Sequence, residues 1–282
     1  MDSEGLLRRS RMSSSVRSKS LPRRVRLSLE VRLERRKDSA YRRLTEDYLL
    51  PDGSRRVYFH HIRKTGGTSL QRSFLALGGE EPGDVLHRMA ASRFNRTTSG
   101  KYAFAANQKT VLSQGFYFCG WSHLPAHAIE LPPGTFTVSI FRDPLKRVLS
   151  YFNYLVAGDE PGTAFPVPER ERRLAYAGFD DFLERVPKRD LLRQLFTFSQ
   201  ALDPEEAADR IRRCSFVFFN DSYEEGLADL AARLDLPLVI RHDRVTPKSV
   251  SPGSTQLERL RELLDPEYQL FRLLGRPVEA ST

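Results

Sequence analysis

Two short strings concentrate the residue types that grip phosphate. The first is Arg63-Lys64-Thr65-Gly66-Gly67-Thr68-Ser69-Leu70. Consecutive glycines let a backbone turn tightly and approach a ligand closely. Backbone N–H groups at the helix start that follows favour an anion. Thr65, Thr68 and Ser69 add hydroxyl donors, and Lys64 adds a point charge, so the string has the chemistry of a phosphate cradle. The second string is Phe141-Arg142-Asp143-Pro144-Leu145-Lys146-Arg147-Val148-Leu149-Ser150-Tyr151. The planar fork of Arg142 suits bidentate contact with a phosphate. Ser150 lies two turns along the helix that follows and shares a face with Arg147 through the i, i+3 relation. Arg142 and Ser150 together would clamp a second, separate phosphate.

The first string is not the nucleotide-triphosphate loop G-x-x-x-x-G-K-[ST], because its lysine precedes the glycines. The competing explanations are structural: an ordinary strand–helix turn for the glycines, and a neighbouring acid paired with Arg142. No Cys/His grouping suggests a metal site.

The elements that must position these strings can be read from the pattern. VYFHHI (57–62), GFYFCGW (115–121), TFTVSIF (135–141), SFVFFN (215–220) and LPLVIRH (236–242) read as strands. A helix is expected from Ser69. Another opens at Asp143-Pro144, where Asp143 can cap and Pro144 suits the first turn. Further helical stretches are expected over 168–213, 222–234 and 255–274. Strand–helix alternation with apolar strands implies an α/β fold: a parallel sheet covered by helices on both faces. Arg142 then ends a strand at the carboxyl edge, where such sheets bind ligands.

The chain has 282 residues and a net charge of +9, but residues 1–50 hold 14 Lys/Arg against 7 Asp/Glu and so carry +7 of it. The remainder is nearly balanced, which weakens a nucleic-acid reading. Residues 1–22 are Ser/Arg-rich and expected to be disordered, and 23–48 have the spacing of a basic amphipathic helix that could lie on an anionic surface. The turn Pro51-Asp52-Gly53-Ser54 divides this basic arm, 1–50, from a domain over 51–282. Cys119 and Cys214 lie in apolar runs and are expected to be free thiols. No apolar run approaches the length of a membrane helix, and no signal peptide is recognisable, so the expected location is cytoplasmic.

Both strings, in this order, resemble those of the PAPS-dependent sulfotransferases, most closely the carbohydrate branch related to heparan sulfate 2-O-sulfotransferases. PAPS is 3′-phosphoadenosine 5′-phosphosulfate. The resemblance covers about residues 55–275. It implies the sulfotransferase fold, a P-loop-like parallel sheet with helices on both faces. It also implies that Lys64, Thr65, Gly66, Gly67, Thr68 and Ser69 hold the 5′-phosphosulfate, and that Arg142 and Ser150 hold the 3′-phosphate. Val245-Thr246-Pro247-Lys248-Ser249-Val250-Ser251 is similar to the family's late loop, which would place Lys248 and Ser249 on the 3′-phosphate. Lys64 would stabilise the departing nucleotide. His123, in Gly120-Trp121-Ser122-His123, matches the position of a histidine base in related enzymes, although Trp121 and Ser122 interrupt the simplest Gly-His form; His127 is the reserve candidate. His60 and His61 are read as strand residues, at least one of them in the core. The acceptor would be a hydroxyl, expected on a glycan, and no metal is required. Arg93, Arg96, Arg170, Arg172 and Arg173 are candidates to face an acidic glycan. Two other readings remain: a non-catalytic PAP- or anion-binding adaptor, and a nucleotide-dependent kinase.

Overall fold

The structure, a computed structural model, describes residues 38–158, 166–240 and 251–276. Contacts group residues Ala40–Thr282 into one compact unit. Beginning this unit at Ala40 puts residues 40–50 with the body. There Leu50 is buried, and the Tyr48 hydroxyl donates to the Lys101 carbonyl at 2.7 Å and accepts from the Ala103 N–H at 3.0 Å.

In chain order the elements are β1 (Arg56–His60), α1 (Gly67–Ala76), α2 (Pro82–Ala91), β2 (Arg96–Ser99), β3 (Tyr102–Ala106), α3 (Lys109–Gln114), β4 (Cys119–Ser122), β5 (Thr135–Phe141), α4 (Pro144–Ala157), α5 (Glu169–Arg172), α6 (Phe179–Arg185), α7 (Lys188–Leu191), α8 (Arg193–Phe198), α9 (Pro204–Arg212), β6 (Phe216–Phe219), α10 (Tyr223–Leu234), α11 (Ser254–Leu263) and α12 (Asp265–Leu273). The strands form one sheet of order β2-β3-β4-β1-β5-β6. Its pairings are parallel except β2 with β3.

The pleat sends successive side chains to opposite faces. Val57 and Phe59 of β1 join Leu70 and Phe74 of α1, Met89 of α2 and Leu230 of α10 on one face. Tyr58 points to the other face, against Leu112 of α3 and Tyr117. Further along that layer Phe141, Phe152, Phe182, Phe198 and Phe271 form the largest cluster, under α4, α6, α8 and α12. Helices therefore cover both faces of the sheet. Asp143 caps α4 by accepting from the Lys146 N–H at 2.8 Å, with Pro144 in the first turn. Cys119 is buried and Cys214 half-buried, and both are free. Among the described residues no helix is long and apolar enough to cross a membrane.

The structure departs from the sequence pattern in four places. The β2–β3 hairpin, which turns through Gly100 at φ 52°, was not anticipated; it makes the sheet mixed, with β2 as an antiparallel edge. Arg-Thr-Thr-Ser carries too little apolar character to signal a strand. Residues 236–240 of the expected last strand are not a strand, and 241–242 lie outside the described residues. Pro237 has no N–H, the Leu236 N–H closes α10 on Ala231, and the Val239 carbonyl accepts from Ser73 Oγ at 2.6 Å, so these backbone groups are committed elsewhere. The helical stretch 168–213 is a series of short helices broken around Gly178, Pro187, Leu192 and Asp203-Pro204, and the tail helix breaks at Leu264 before Pro266. β1 stops at His60 and β4 starts only at Cys119, so His61 lies just past the strand, with its N–H still donating to the Ser122 carbonyl of β4 at 3.0 Å.

Candidate functional site

The carboxyl ends of β1, β4, β5 and β6 lead into His61, His123, Arg142 and Asn220, respectively. All four lie along the edge where a parallel sheet exposes its ligand crevice. β1 occupies the middle, with β4 on one side and β5 on the other. The chain after β1 turns through residues 63–66 and enters α1 at Gly67. Lys64 is left-handed at φ 69° and Gly66 at φ 98°. A Cβ on Gly66 would stand 2.6 Å from Asn220 Nδ2, so the end of β6 presses on the turn.

Gly67, the first residue of α1, lies directly over the His61 ring. A Cβ there would meet His61 Nε2 at 2.5 Å and Phe59 Cζ at 2.7 Å. Gly67→Ala is therefore expected to destabilise the fold by about 1–3 kcal/mol, through a shift of the helix start or the ring. A urea titration beside the wild type measures this, and an unchanged midpoint would contradict the packing.

The loop uses its own residues unequally. Thr65 is fully buried, and its hydroxyl donates to the Ile62 carbonyl at 3.0 Å, so its side chain braces the turn. Thr68 and Ser69 are half-buried in the first turn of α1, and their hydroxyls make no hydrogen bond among the described residues.

Arg142 follows β5, and its backbone is held at two points by the Gln194 amide. Its N–H donates to Gln194 Oε1 at 2.9 Å, and its carbonyl accepts from Gln194 Nε2 at 2.9 Å. Gln194 is itself held by Glu267, which accepts from the Gln194 N–H at 2.7 Å, from Nε2 at 3.1 Å and from the Leu195 N–H at 3.2 Å. The guanidinium of Arg142 reaches the glycine loop and donates from Nη1 to the Lys64 carbonyl at 3.2 Å. Its Nε is buried with no hydrogen-bond partner. Burial lowers the Arg142 pKa, against the pull of Asp221 and Asp143. The glycine loop and the Arg142 string thus meet at Arg142.

Two residues of the second string behave differently from each other. Ser150 is half-buried on α4, whereas Arg147 is fully buried and turned into the core. It donates to the Asp190 carbonyl at 3.3 Å and to the Leu191 carbonyl, and stands 3.9 Å from Glu267. Arg147 is thus a structural cation that does not share an exposed clamp with Ser150. Lys248 and Ser249 lie outside the described residues.

His123 Nδ1 lies 2.6 Å from the His61 carbonyl oxygen. A carbonyl only accepts, so Nδ1 carries the proton and Nε2 holds the lone pair. Burial first, then the Arg63 charge, push the His123 pKa down to about 3; the bond to His61 opposes this and Arg193 adds to it. The His61 and His123 rings are 4.4 Å apart, and His61 stacks on Phe59 at 5.0 Å. Burial likewise drives His61 well below its ordinary value, with His123, Arg63 and Lys64 adding to the effect. His127 occupies another neighbourhood: it packs on Phe196 at 5.4 Å, and Arg210 and Glu206 are its charged neighbours.

His60 is the core histidine. It is 5% exposed, and burial holds its pKa near 4. Because the folded value lies below the unfolded one, the unfolded chain binds the extra proton. The contribution is complete above about pH 6.5 and is lost as pH falls towards 4, at about 1.4 kcal/mol per pH unit. Burial depresses His61 and His123 as well, so urea unfolding between pH 7 and 4.5 should show a summed slope steeper than that of one proton, reduced by about 1.4 kcal/mol per pH unit in His60→Gln; an equal slope in the variant would contradict it.

Beside His123 lies a charged cluster that sequence reasoning did not find. Arg63 pairs with Glu171, and Tyr151 donates to Glu171 at 3.4 Å. Arg193 pairs with Asp190 at 3.2 Å and donates to the His123 carbonyl at 2.7 Å. Arg63, Arg147, Tyr151, Asp190 and Arg193 enclose a cavity of about 10 Å³, room for roughly one water. Of the arginines expected to face an acidic glycan, Arg96 is buried, with its guanidinium 4.5 Å from the Tyr41 ring centroid. Arg173 pairs with Glu169.

Among the described residues no group of three or more His, Cys, Asp or Glu is placed to hold a metal ion. No protein-family model matches the chain, and no curated protein is significantly similar to it in sequence. The functional reading therefore rests on the geometry and on the motifs.

Proposed function

We propose that the protein is a PAPS-dependent sulfotransferase of the sulfotransferase fold, acting on a hydroxyl of a carbohydrate. The observation that carries this reading is the bond from Arg142 Nη1 to the Lys64 carbonyl. It joins an anion-seeking helix start to a guanidinium whose Nε has no partner, as a donor with phosphates at both the 5′ and 3′ positions would require. The left-handed Lys64 and Gly66 open the turn for close approach of a phosphosulfate.

In the transfer, the acceptor oxygen attacks sulfur in line as the bond from sulfur to the bridging phosphate oxygen breaks. The electron pair leaves with the nucleotide, where Lys64 neutralises the developing charge. His123 Nε2 takes the acceptor proton, held in the correct tautomer by the His61 carbonyl. Burial is the main cause of the low pKa of His123, and the cations Arg63 and Arg193 add to it. A bound anionic donor opposes those charges and raises the basicity of His123.

The reading is tested by incubating the protein with ³⁵S-labelled PAPS and a panel of neutral and acidic glycans. Label on a glycan, lost in Lys64→Ala, is the expected result. PAP binding without transfer to any hydroxyl would favour the adaptor reading, and the use of ATP in place of PAPS would favour a kinase.

A further inference from the structure

Lys64 is gripped at both ends by one segment of the chain. Its carbonyl accepts from Arg142, the residue that leads β5 into α4. Its ammonium lies 4.2 Å from the centroid of the Tyr154 ring, in the last turn of α4. An ammonium over a ring face is attracted by the negative face of the π system. The C-terminal end of a helix also favours a cation. The left-handed backbone at Lys64, φ 69°, is a conformation that a lysine keeps only where its surroundings hold it. The α4 platform is fixed by the Asp143 cap at one end and by buried Tyr151, Phe152 and Leu155 around Tyr154. Ser150, one turn earlier, lies on the same side of the helix as Tyr154 by the i, i+4 relation.

We propose that Tyr154 is a positioning residue for the transfer, its ring fixing where the Lys64 ammonium stands beside the glycine turn. The proposal rests on the sulfotransferase reading, in which Lys64 meets the leaving phosphate. The ring face does this work, and the phenol hydroxyl does not.

The test uses the full chain with Tyr154→Phe, Tyr154→Leu, Lys64→Ala and the double variant Lys64→Ala/Tyr154→Leu. Thermal unfolding confirms that each is folded. Cleavage of PAPS to PAP is followed with water as acceptor, and PAP affinity is measured by calorimetry. Tyr154→Phe should cleave within about twofold of wild type, and Tyr154→Leu about tenfold more slowly, with PAP affinity within about threefold. In the Lys64→Ala background, Tyr154→Leu should cost nothing further. Independently of turnover, the Lys64 ε-methylene signal of ¹³C-lysine-labelled protein should be shifted upfield by the ring current. Tyr154→Phe should retain that shift and Tyr154→Leu should lose it. Wild-type cleavage by Tyr154→Leu, an equal loss in Tyr154→Phe, additive losses in the double variant, or an unshifted Lys64 signal would each overturn the proposal. Failure of the wild type to bind PAP would overturn the donor-site reading and the proposal with it, and is distinguished by the calorimetry alone.

Discussion

His123→Ala is expected to lower sulfuryl transfer by about 10²–10⁴-fold while PAP affinity stays near that of the wild type. The imidazole meets the His61 carbonyl at 2.6 Å through Nδ1, and that bond leaves Nε2 as the basic nitrogen. Alanine removes the base and leaves intact both the glycine turn and the Arg193 bond, which is made to the His123 backbone. The comparison with His127→Ala is decisive, since His127 packs its ring on Phe196 whereas His123 packs on His61. Single-turnover transfer from labelled PAPS measures both variants. A large loss in His127→Ala with none in His123→Ala would move the base to the Ala126–Ala128 turn.

Glu267→Ala is expected to destabilise the fold by about 3–5 kcal/mol. Glu267 and Arg147 are 0% and 1% exposed, so removing the carboxylate strands a buried cation. It also removes the acceptor for the Gln194 and Leu195 N–H groups and for the Gln194 amide. Urea unfolding measures the loss, and a midpoint near that of the wild type would contradict the buried pairing. Replacing both partners with apolar residues, as Arg147→Met/Glu267→Leu, should recover part of the stability lost in the single variant. The loss also has a functional side. Glu267 holds Gln194, and Gln194 holds both backbone groups of Arg142. A Glu267→Gln variant that remains folded should therefore bind PAP more weakly although it lies deep in the core.

The parts of this site legible in the sequence depend on neighbours along the chain. Gly66-Gly67 between a strand and a helix announces its turn, and Asp143-Pro144 announces its cap. β5 is recoverable because its β-branched and aromatic run suits a strand buried on both faces. What the sequence hid depends on partners far apart in it. Gln194 is 52 residues from Arg142 and 73 from Glu267, and nothing local marks it as more than a polar helix residue. His61 looked like strand and lies one residue beyond the end of β1, because Ile62 extends the apolar run and the His61 N–H still bonds the Ser122 carbonyl of β4. Arg147 shares the spacing of a ligand-binding residue, yet the inward face of α4 commits it to Glu267 and Leu191. Helical spacing tells which residues share a face, but not whether that face looks at solvent or at the core.

The most direct test of the account is calorimetric titration of the protein with PAP, AMP and ATP, repeated with Arg142→Ala. The account predicts tight PAP binding, weak AMP and ATP binding, and a loss of at least about tenfold for PAP alone when Arg142 is removed, because charge-assisted bonds to a phosphate carry about 1.5–3 kcal/mol. Equal affinity for ATP and PAP, or PAP binding untouched by the loss of Arg142, would contradict it.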